Sequence, residues 1–145
     1  MLKPTLIVIL SFFTLFCLIS CKKNNEAKTV CALNETNLLG TYKYGTVMYK
    51  ASPTSVAVDA TSMVDSCSLD DLITLGANNV FTYTDAGMQC NPSGSGTGTW
   101  SLQGNTFTAQ SQSGTIDNFS CTSFTVANAN FSNPGDTLLI TFQRK

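Results

Sequence analysis

From Leu38 to the C-terminus the chain is a series of short runs rich in Thr, Val, Phe and Tyr, separated by clusters of Gly, Asn, Pro and Ser. Several runs alternate apolar and polar residues: Leu138, Ile140 and Phe142 share one face of a strand, and threonines share the other. Alternation with a period of two and one apolar face is typical of antiparallel strands that cover a single interior. The sequence therefore predicts an all-β fold, and it indicates no capped helix after Ala32.

Eight of these runs are predicted strands, at residues 40–50, 55–64, 69–76, 79–85, 97–102, 105–111, 114–128 and 136–143. Connectors such as Ala77-Asn78 and Gly104-Asn105 contain residues that tolerate the positive φ of tight hairpins. Short connections place successive strands side by side. Eight antiparallel strands in up-and-down order close into a barrel just wide enough for side chains or one small ligand. We expect this barrel to form one domain over residues 38–145.

The N-terminal residues have the pattern of a cleaved export signal. Lys3 is followed by an apolar run, Thr5–Ile19, of the length expected for the core of a signal peptide. The run ends in Leu18-Ile19-Ser20-Cys21, which resembles the lipobox of bacterial lipoproteins, where a peptidase cuts before the cysteine and that residue is lipidated. The sequence thus predicts a signal peptide at 1–20 and lipidation of Cys21. A membrane-spanning helix, which needs ~20 apolar residues, and a buried core helix are the alternatives.

A polar segment follows the predicted lipidation site. Residues 22–30 are polar and charged and show no apolar period, which is typical of a flexible tether. We expect residues 21–37 to connect the lipidated cysteine to the barrel. The resulting protein would be exported and anchored to the outer membrane, at either its periplasmic or its outer face, with the membrane as its first partner.

The cysteines indicate disulfides. Exported proteins retain disulfide bonds, and after processing an even number of cysteines remains: Cys31, Cys67, Cys90 and Cys121. Four cysteines allow three pairings. None lies in a Cys-x-x-Cys pair, and a zinc site in a chain without His would need all four thiolates.

The predicted hairpin at Ala77-Asn78 selects among the pairings. With this two-residue turn, Leu75 faces Val80, and continuing outward brings Cys67 within two residues of Cys90. We therefore predict a Cys67–Cys90 disulfide. The remaining two pair by elimination, as Cys31–Cys121.

With these features in place, the chain resembles the bacterial lipocalin-like lipoproteins. The resemblance rests on Leu39-Gly40-Thr41-Tyr42, Cys67-Ser68-Leu69-Asp70-Asp71, Asn78-Asn79-Val80-Phe81, Cys90, Gly96-Thr97-Gly98-Thr99-Trp100-Ser101-Leu102 and Gly104-Asn105-Thr106-Phe107. Lipocalins open with Gly-x-Trp, whose indole closes the barrel floor beneath a basic residue near the last strand. Here Tyr42 replaces that Trp. The resemblance implies that Arg144 packs over Tyr42, and the alternative is a frayed C-terminal Arg in water.

The sequence disfavours catalysis and nucleic-acid binding. The chain has no His, its exported thiols are expected to be bonded, and Asp70 and Asp71, as strand neighbours, would point to opposite faces. No metal-binding or cofactor-binding motif is present, so we expect no enzyme activity, metal or cofactor. No Lys or Arg occurs between Ala51 and Gln143, whereas nucleic-acid binding needs basic patches.

Two functions remain. In the first, implied by the lipocalin resemblance, the barrel binds a small apolar or amphipathic ligand against aromatic side chains: Tyr44, Phe81, Tyr83, Trp100, Phe107 and Phe124. In the second, the barrel is filled by its own side chains, and the protein is a structural or interaction lipoprotein without a small-molecule ligand. An open apolar cavity would favour the first function, and a filled interior the second.

Overall fold

A computed structural model of the chain describes residues 31–145. The predicted signal peptide (1–20), the lipidation site Cys21 and the tether residues 22–30 lie outside the described residues, so these expectations stay predictions. The described part consists of one helical turn, α1 (Glu35–Leu38), followed by strands and two short 3-10 turns at Thr61–Met63 and Ser66–Ser68.

The strands form one antiparallel sheet that closes on itself. They are β1 (Gly40–Lys50), β2 (Val58–Asp59), β3 (Leu72–Leu75), β4 (Val80–Thr84), β5 (Gly96–Gln103), β6 (Thr106–Ala109), β7 (Gln112–Ser120), β8 (Ser123–Ala129) and β9 (Thr137–Arg144). Strands β3 to β9 pair in sequence order, and β1 pairs with both β3 and β9. The ring therefore contains β1 and β3 to β9, while β2 pairs only with the later part of β1. The predicted all-β up-and-down barrel is confirmed.

Two predicted strand segments were wrong in detail. The run 114–128 is two strands, because the chain reverses at Cys121-Thr122. Ser120 makes this turn without Gly or Pro: its Oγ accepts hydrogen bonds from the backbone N–H of Thr122 (3.3 Å) and Ser123 (3.0 Å). The run 55–64 contains only the two paired residues of β2, and a 3-10 turn follows them.

The predicted register of the β3–β4 hairpin was also wrong, by one residue. Leu75 pairs with Phe81 and not with Val80. The reason is a three-residue loop, Ala77 to Asn79, in which Asn78 and Asn79 both have positive φ (58° and 61°). The observed register places the buried Leu75 opposite the buried Phe81, whereas Val80 is exposed. A register shifted by one residue would instead place inward side chains of one strand opposite outward side chains of the other.

The helical turn α1 was not expected from the sequence. Asn34 caps it, since its Oδ1 accepts a hydrogen bond from Asn37 N (2.8 Å), as side chains at this position commonly do. The turn ends at Leu38, which is fully buried in the main core. Tyr42 Oη donates to Leu38 O (2.8 Å) and fixes α1 across one end of the barrel.

The two ends of the barrel differ. The closed end is the one covered by α1, where β1 begins, β9 ends and the turns at 76–79, 104–105 and 121–122 lie. The open end carries the longer connections at 51–57, 60–71, 85–95 and 130–136. Aromatic rings pack in series along the interior: Phe124 lies 4.9 Å from Tyr42 and 5.1 Å from Phe142, centroid to centroid. Burying each such ring contributes roughly 1.5–3 kcal/mol.

Arg144 lies across the closed end. Its Nη1 donates to Leu39 O (2.6 Å), its Nη2 to Asn37 O (2.6 Å) and Tyr42 Oη (2.8 Å), and its Nε to Cys121 O (2.9 Å). The guanidinium carbon is 5.0 Å from the centroid of the Tyr42 ring. The contact between Arg144 and Tyr42 is therefore present, and Arg144 is not a frayed terminus.

Both disulfides are present, with Cα–Cα distances of 5.4 Å for Cys31–Cys121 and 5.3 Å for Cys67–Cys90. The first bonds Cys31 to the β7–β8 turn at the closed end. The expected tether, 21–37, is thus attached to the barrel from Cys31 onward by this disulfide, by α1 and by the hydrogen bond from Arg144 to Asn37 O.

Candidate ligand cavity

A cavity of about 690 Å³ occupies the part of the barrel interior towards the open end. This volume lies within the ~300–1,000 Å³ typical of ligand pockets. Most of its wall is apolar or aromatic, formed by Tyr44, Ile73, Phe81, Tyr83, Phe107, Ala109, Phe124, Val126, Leu138, Ile140 and Phe142. Phe124 is 1% exposed and Phe107 7% exposed, so the inner end of the cavity is closed by buried aromatic rings.

Three inward positions near the open end have no bulky side chain, and two of them, Ala109 and Gly114, line the cavity. Residues two apart on a strand share a face. On β5 the buried Trp100 is followed towards the open end by Gly98, on β7 the buried Ile116 by Gly114, and on β6 Phe107 by Ala109. Neighbouring side chains lie over the two glycines: a Cβ would be 2.9 Å from Gln110 Cγ at Gly98 and 2.5 Å from Val126 Cγ1 at Gly114. The small side chain of Ala109 is the one that leaves space in this layer.

Five of the six aromatic residues predicted to line a site do line this cavity: Tyr44, Phe81, Tyr83, Phe107 and Phe124. Their contact with a ligand stays a prediction. Trp100 does not belong to the cavity and was wrong as a lining residue. It lies nearer the closed end, where its Nε1 donates to Gly76 O (2.9 Å), and it is 3% exposed. Trp100 therefore packs the barrel beneath the cavity.

Sequence reasoning missed the polar residues at the mouth. Four carboxamide side chains join the lining there: Gln110, Gln112, Asn128 and Asn130. Gln110 and Asn130 have positive φ, each 56°, and their sequence context resembled ordinary turns. Strand parity could have identified the other two, because Gln112 is two residues before Gly114 and Asn128 is two residues after Val126.

Two tyrosines on the wall are held neutral. Tyr83 Oη donates to Asp71 Oδ2, and Asp71 Oδ1 accepts a hydrogen bond from Ala86 N (2.8 Å). Burial and the hydrogen bond to Asp71 raise the pKa of Tyr83 well above its ordinary value. Burial, and then the charge of Asp71, raise the pKa of Tyr44. The wall therefore presents two phenols that stay protonated at neutral pH.

Asp85 fixes the loop beside the mouth. Its carboxylate accepts hydrogen bonds from Cys90 N (3.2 Å) and Gly94 N (3.3 Å), and its own N–H donates to Ser95 Oγ (2.9 Å). Asp71, Asp85 and Cys90 place potential metal-ligand atoms within 4.8 Å of one another. However, the Cys90 sulfur is bonded to Cys67 and the carboxylates accept protein hydrogen bonds. Among residues 31–145 this cluster organises a loop and offers no thiolate to a metal.

Asp136 holds the opposite rim. It is fully buried and accepts hydrogen bonds from Tyr49 Oη (2.9 Å), Asn133 N (2.8 Å) and Ser132 N (3.1 Å). Burial opposes its ionisation, but these hydrogen bonds outweigh it and hold the pKa of Asp136 below its ordinary value. The loop at 130–136 is therefore tied to β1 by an ionised carboxylate.

The lining is suited to a ligand whose apolar surface is buried on binding. It offers rings, aliphatic side chains, two neutral phenols and carboxamides, and the described lining contains no Asp, Glu, Lys or Arg. Residues 31–145 include no helix long and apolar enough to cross a membrane.

Comparison with known proteins gives one family. The family model described as a lipocalin-like domain matches residues 38–126, more than half of the chain. No curated protein and no solved structure matches significantly. The matched segment begins at Leu38 and includes β1 to β7 together with the disulfide Cys67–Cys90. The chain belongs to the lipocalin-like domain family.

Proposed function

We propose that this protein binds a small apolar or amphipathic ligand in the cavity at the open end of its barrel. The observation that carries the proposal is a cavity of about 690 Å³ with a largely aromatic and aliphatic wall. Removing a ligand's apolar surface from water contributes ~25 cal/mol per Å². An interior filled by its own side chains, which the structural or interaction alternative requires, would leave no such volume. The protein acts as a binding protein and not as an enzyme.

The test fills the cavity with a large side chain and uses the same substitution on the outer face of the barrel as a control. Ala109 lines the cavity, and its neighbour Thr108 points to the outside of the same strand. Ala109→Phe should remove saturable binding of a neutral apolar dye such as N-phenyl-1-naphthylamine, and Thr108→Phe should retain it. The described core contacts and both disulfides lie within residues 31–145, so the chain from Lys22 onward is used, with its fold checked by circular dichroism.

The outcomes separate the two functions. Binding that is lost in Ala109→Phe while the circular dichroism spectrum is unchanged supports the cavity as the site. A folded wild-type protein that binds no member of a broad panel of apolar dyes contradicts the proposal and favours the interaction alternative. Apolar side chains exposed on the open-end loops, such as Val56 (86% exposed) and Met88 (61% exposed), would then be the first surface to test.

We further propose that the protein is exported and anchored to the outer membrane through a lipid on Cys21. The lipobox-like sequence supports this, and two disulfides suit an oxidising compartment. Cys21→Ser should abolish acyl labelling in cells, whereas Cys17→Ser, inside the predicted signal peptide, should retain it. A mature protein whose N-terminus is unmodified and not Cys21, by mass spectrometry, would contradict the anchor.

The disulfide to Cys31 bears on how an anchored protein would be oriented. Cys31 is bonded to the closed end, so a tether from Cys21 would reach the barrel there. Ten residues extend at most ~36 Å. In the proposed arrangement the closed end is nearer the anchoring membrane, and the mouth faces away from it.

A further inference from the structure

The cavity has two chemically different zones. Its inner zone is formed by rings such as those of Phe107, Phe124 and Phe142. Its mouth carries the carboxamides of Gln110, Gln112, Asn128 and Asn130. In the part of the chain that the structure describes, the Asn130 side chain accepts a hydrogen bond from Gly135 N (2.8 Å). A carboxamide has both donors and an acceptor, so this mouth complements polar groups that also donate and accept.

Within residues 31–145, no basic side chain is placed to neutralise an anionic ligand in the cavity. The described residues contain four basic side chains, Lys43, Lys50, Arg144 and Lys145, and none lines the cavity. Arg144 is engaged at the closed end, and Lys145 follows it. Lys43 lies between the inward residues of β1 and is exposed, while Lys50 Nζ donates to Pro53 O (3.2 Å).

Carboxylates surround the mouth instead. Six Asp residues lie on or next to the open-end loops: Asp59, Asp65, Asp70, Asp71, Asp85 and Asp136. Several are bonded to protein donors that favour the ionised form, as hydrogen bonds from Thr61 lower the pKa of Asp59. A fatty acid carboxylate would enter this negative field without a cationic partner among the described residues. A quaternary ammonium group would find no carboxylate among the lining residues that the structure describes.

We propose that the ligand is an uncharged amphiphile, with its apolar part among the rings and a hydroxyl, ester or amide group at the carboxamide mouth. This inference rests on the proposed function. It goes beyond that function because it names the headgroup and excludes free fatty acids as preferred ligands. The polar end reaches the mouth, where it exchanges hydrogen bonds with water for hydrogen bonds with carboxamides.

The test uses ligands that share a twelve-carbon chain and differ in headgroup: glycerol monolaurate, laurate and dodecyltrimethylammonium, each below its micelle concentration. Displacement of bound N-phenyl-1-naphthylamine is measured at pH 7.4 in low salt, because salt screens the charges being compared. The neutral ester should displace the dye at a concentration at least ~10-fold below either charged ligand. Laurate is disfavoured because its charge has the same sign as the carboxylates around the mouth. Dodecyltrimethylammonium is disfavoured because its headgroup cannot hydrogen-bond with the carboxamides and has no carboxylate partner among the described lining residues.

A charge-insertion pair sharpens the test. Gln112→Lys places a cation at the mouth, and Thr115→Lys adds the same charge on the outer face of the same strand. Gln112→Lys should improve displacement by laurate severalfold, and Thr115→Lys should leave it near the wild-type value. The inference is overturned if laurate or dodecyltrimethylammonium matches or exceeds the ester, or if the two variants behave alike. Absence of dye binding by the folded protein contradicts the proposed function itself, and this inference with it.

Discussion

Replacing Arg144 tests how the closed end is held. The Arg144→Met variant keeps a long side chain but removes the guanidinium, which donates to the carbonyl oxygens of Asn37, Leu39 and Cys121 and to Tyr42 Oη. After the substitution these acceptors lose their charged donor. Tyr42 retains its hydrogen bond to Leu38 O, so the defect should be confined to the contact between α1 and the barrel.

The expected loss follows from the environment of each bond. A hydrogen bond to a charged group contributes ~1.5–3 kcal/mol when well shielded. The bond to Cys121 O is exposed, and the other three are partly buried. In the variant, water can hydrogen-bond to the acceptors that lose the guanidinium, and this offsets part of the loss. Counting the three partly buried bonds at about 1 kcal/mol each gives an expected loss of about 3 kcal/mol, a large share of the ~5–15 kcal/mol of a typical domain.

Urea unfolding at pH 7 measures the free energy of unfolding for both the variant and its controls. Lys145→Met removes the adjacent exposed charge and should change stability by less than ~0.5 kcal/mol. Arg144→Lys should fall between the two, because one ammonium cannot reach acceptors spread over α1, β1 and the β7–β8 turn. A loss below ~1 kcal/mol for Arg144→Met, or an equal loss for Lys145→Met, would refute the reasoning.

Three further predictions concern stability. Replacing both cysteines of a disulfide with serine should lower the free energy of unfolding. The chain-entropy model gives about 3.4 kcal/mol for Cys67–Cys90, whose cysteines are 23 residues apart, and about 4.6 kcal/mol for Cys31–Cys121, whose cysteines are 90 residues apart. A larger loss for Cys67–Cys90 than for Cys31–Cys121 in urea unfolding would contradict this model. All four tyrosines have pKa values raised above 10.0. Their contribution to stability should therefore be complete below pH 10 and be lost as the pH rises above it, and ultraviolet titration showing normal tyrosine ionisation in the folded protein would exclude this. The lowered pKa of Asp136 predicts stability that is lost as pH falls below 3.8, and in acid titration Asp136→Asn should flatten that fall.

The sequence predicted the barrel because the same two signals, alternation of apolar and polar residues and short connectors, recur in almost every strand. Alternation identifies the inward face, and short connectors place neighbours side by side, so one misjudged segment does not change the topology. The reversal after Ser120 was missed because a side-chain oxygen makes the turn and no Gly or Pro marks it. The run 55–64 looked like a strand from its composition, but β1 already pairs with β3 and β9, which leaves only a short edge for β2.

The Cys67–Cys90 pairing was predicted correctly from a hairpin register that was wrong by one residue. Both cysteines lie outside the paired strands, which end at Leu72 on β3 and Thr84 on β4. Beyond these ends the chain is in loops and can compensate for one residue of slip. A register error therefore changes which side chains share a face, but it only slightly alters which loops are neighbours.

The depth of a side chain within the barrel could not be obtained from alternation. Trp100 and Phe107 both point inward, and only the stagger of their strands places Trp100 beside the closed end, where it contacts Gly76 O. Whether the barrel is hollow depends on the same quantity. A glycine at an inward position does not by itself open a cavity: the Gln110 side chain lies over Gly98, and the Val126 and Asn128 side chains lie over Gly114. Because Ala109 lies beyond Phe107, the last large inward side chain of β6, the cavity that it lines stays open. A ligand that fills this cavity should leave the packing of the closed end unchanged.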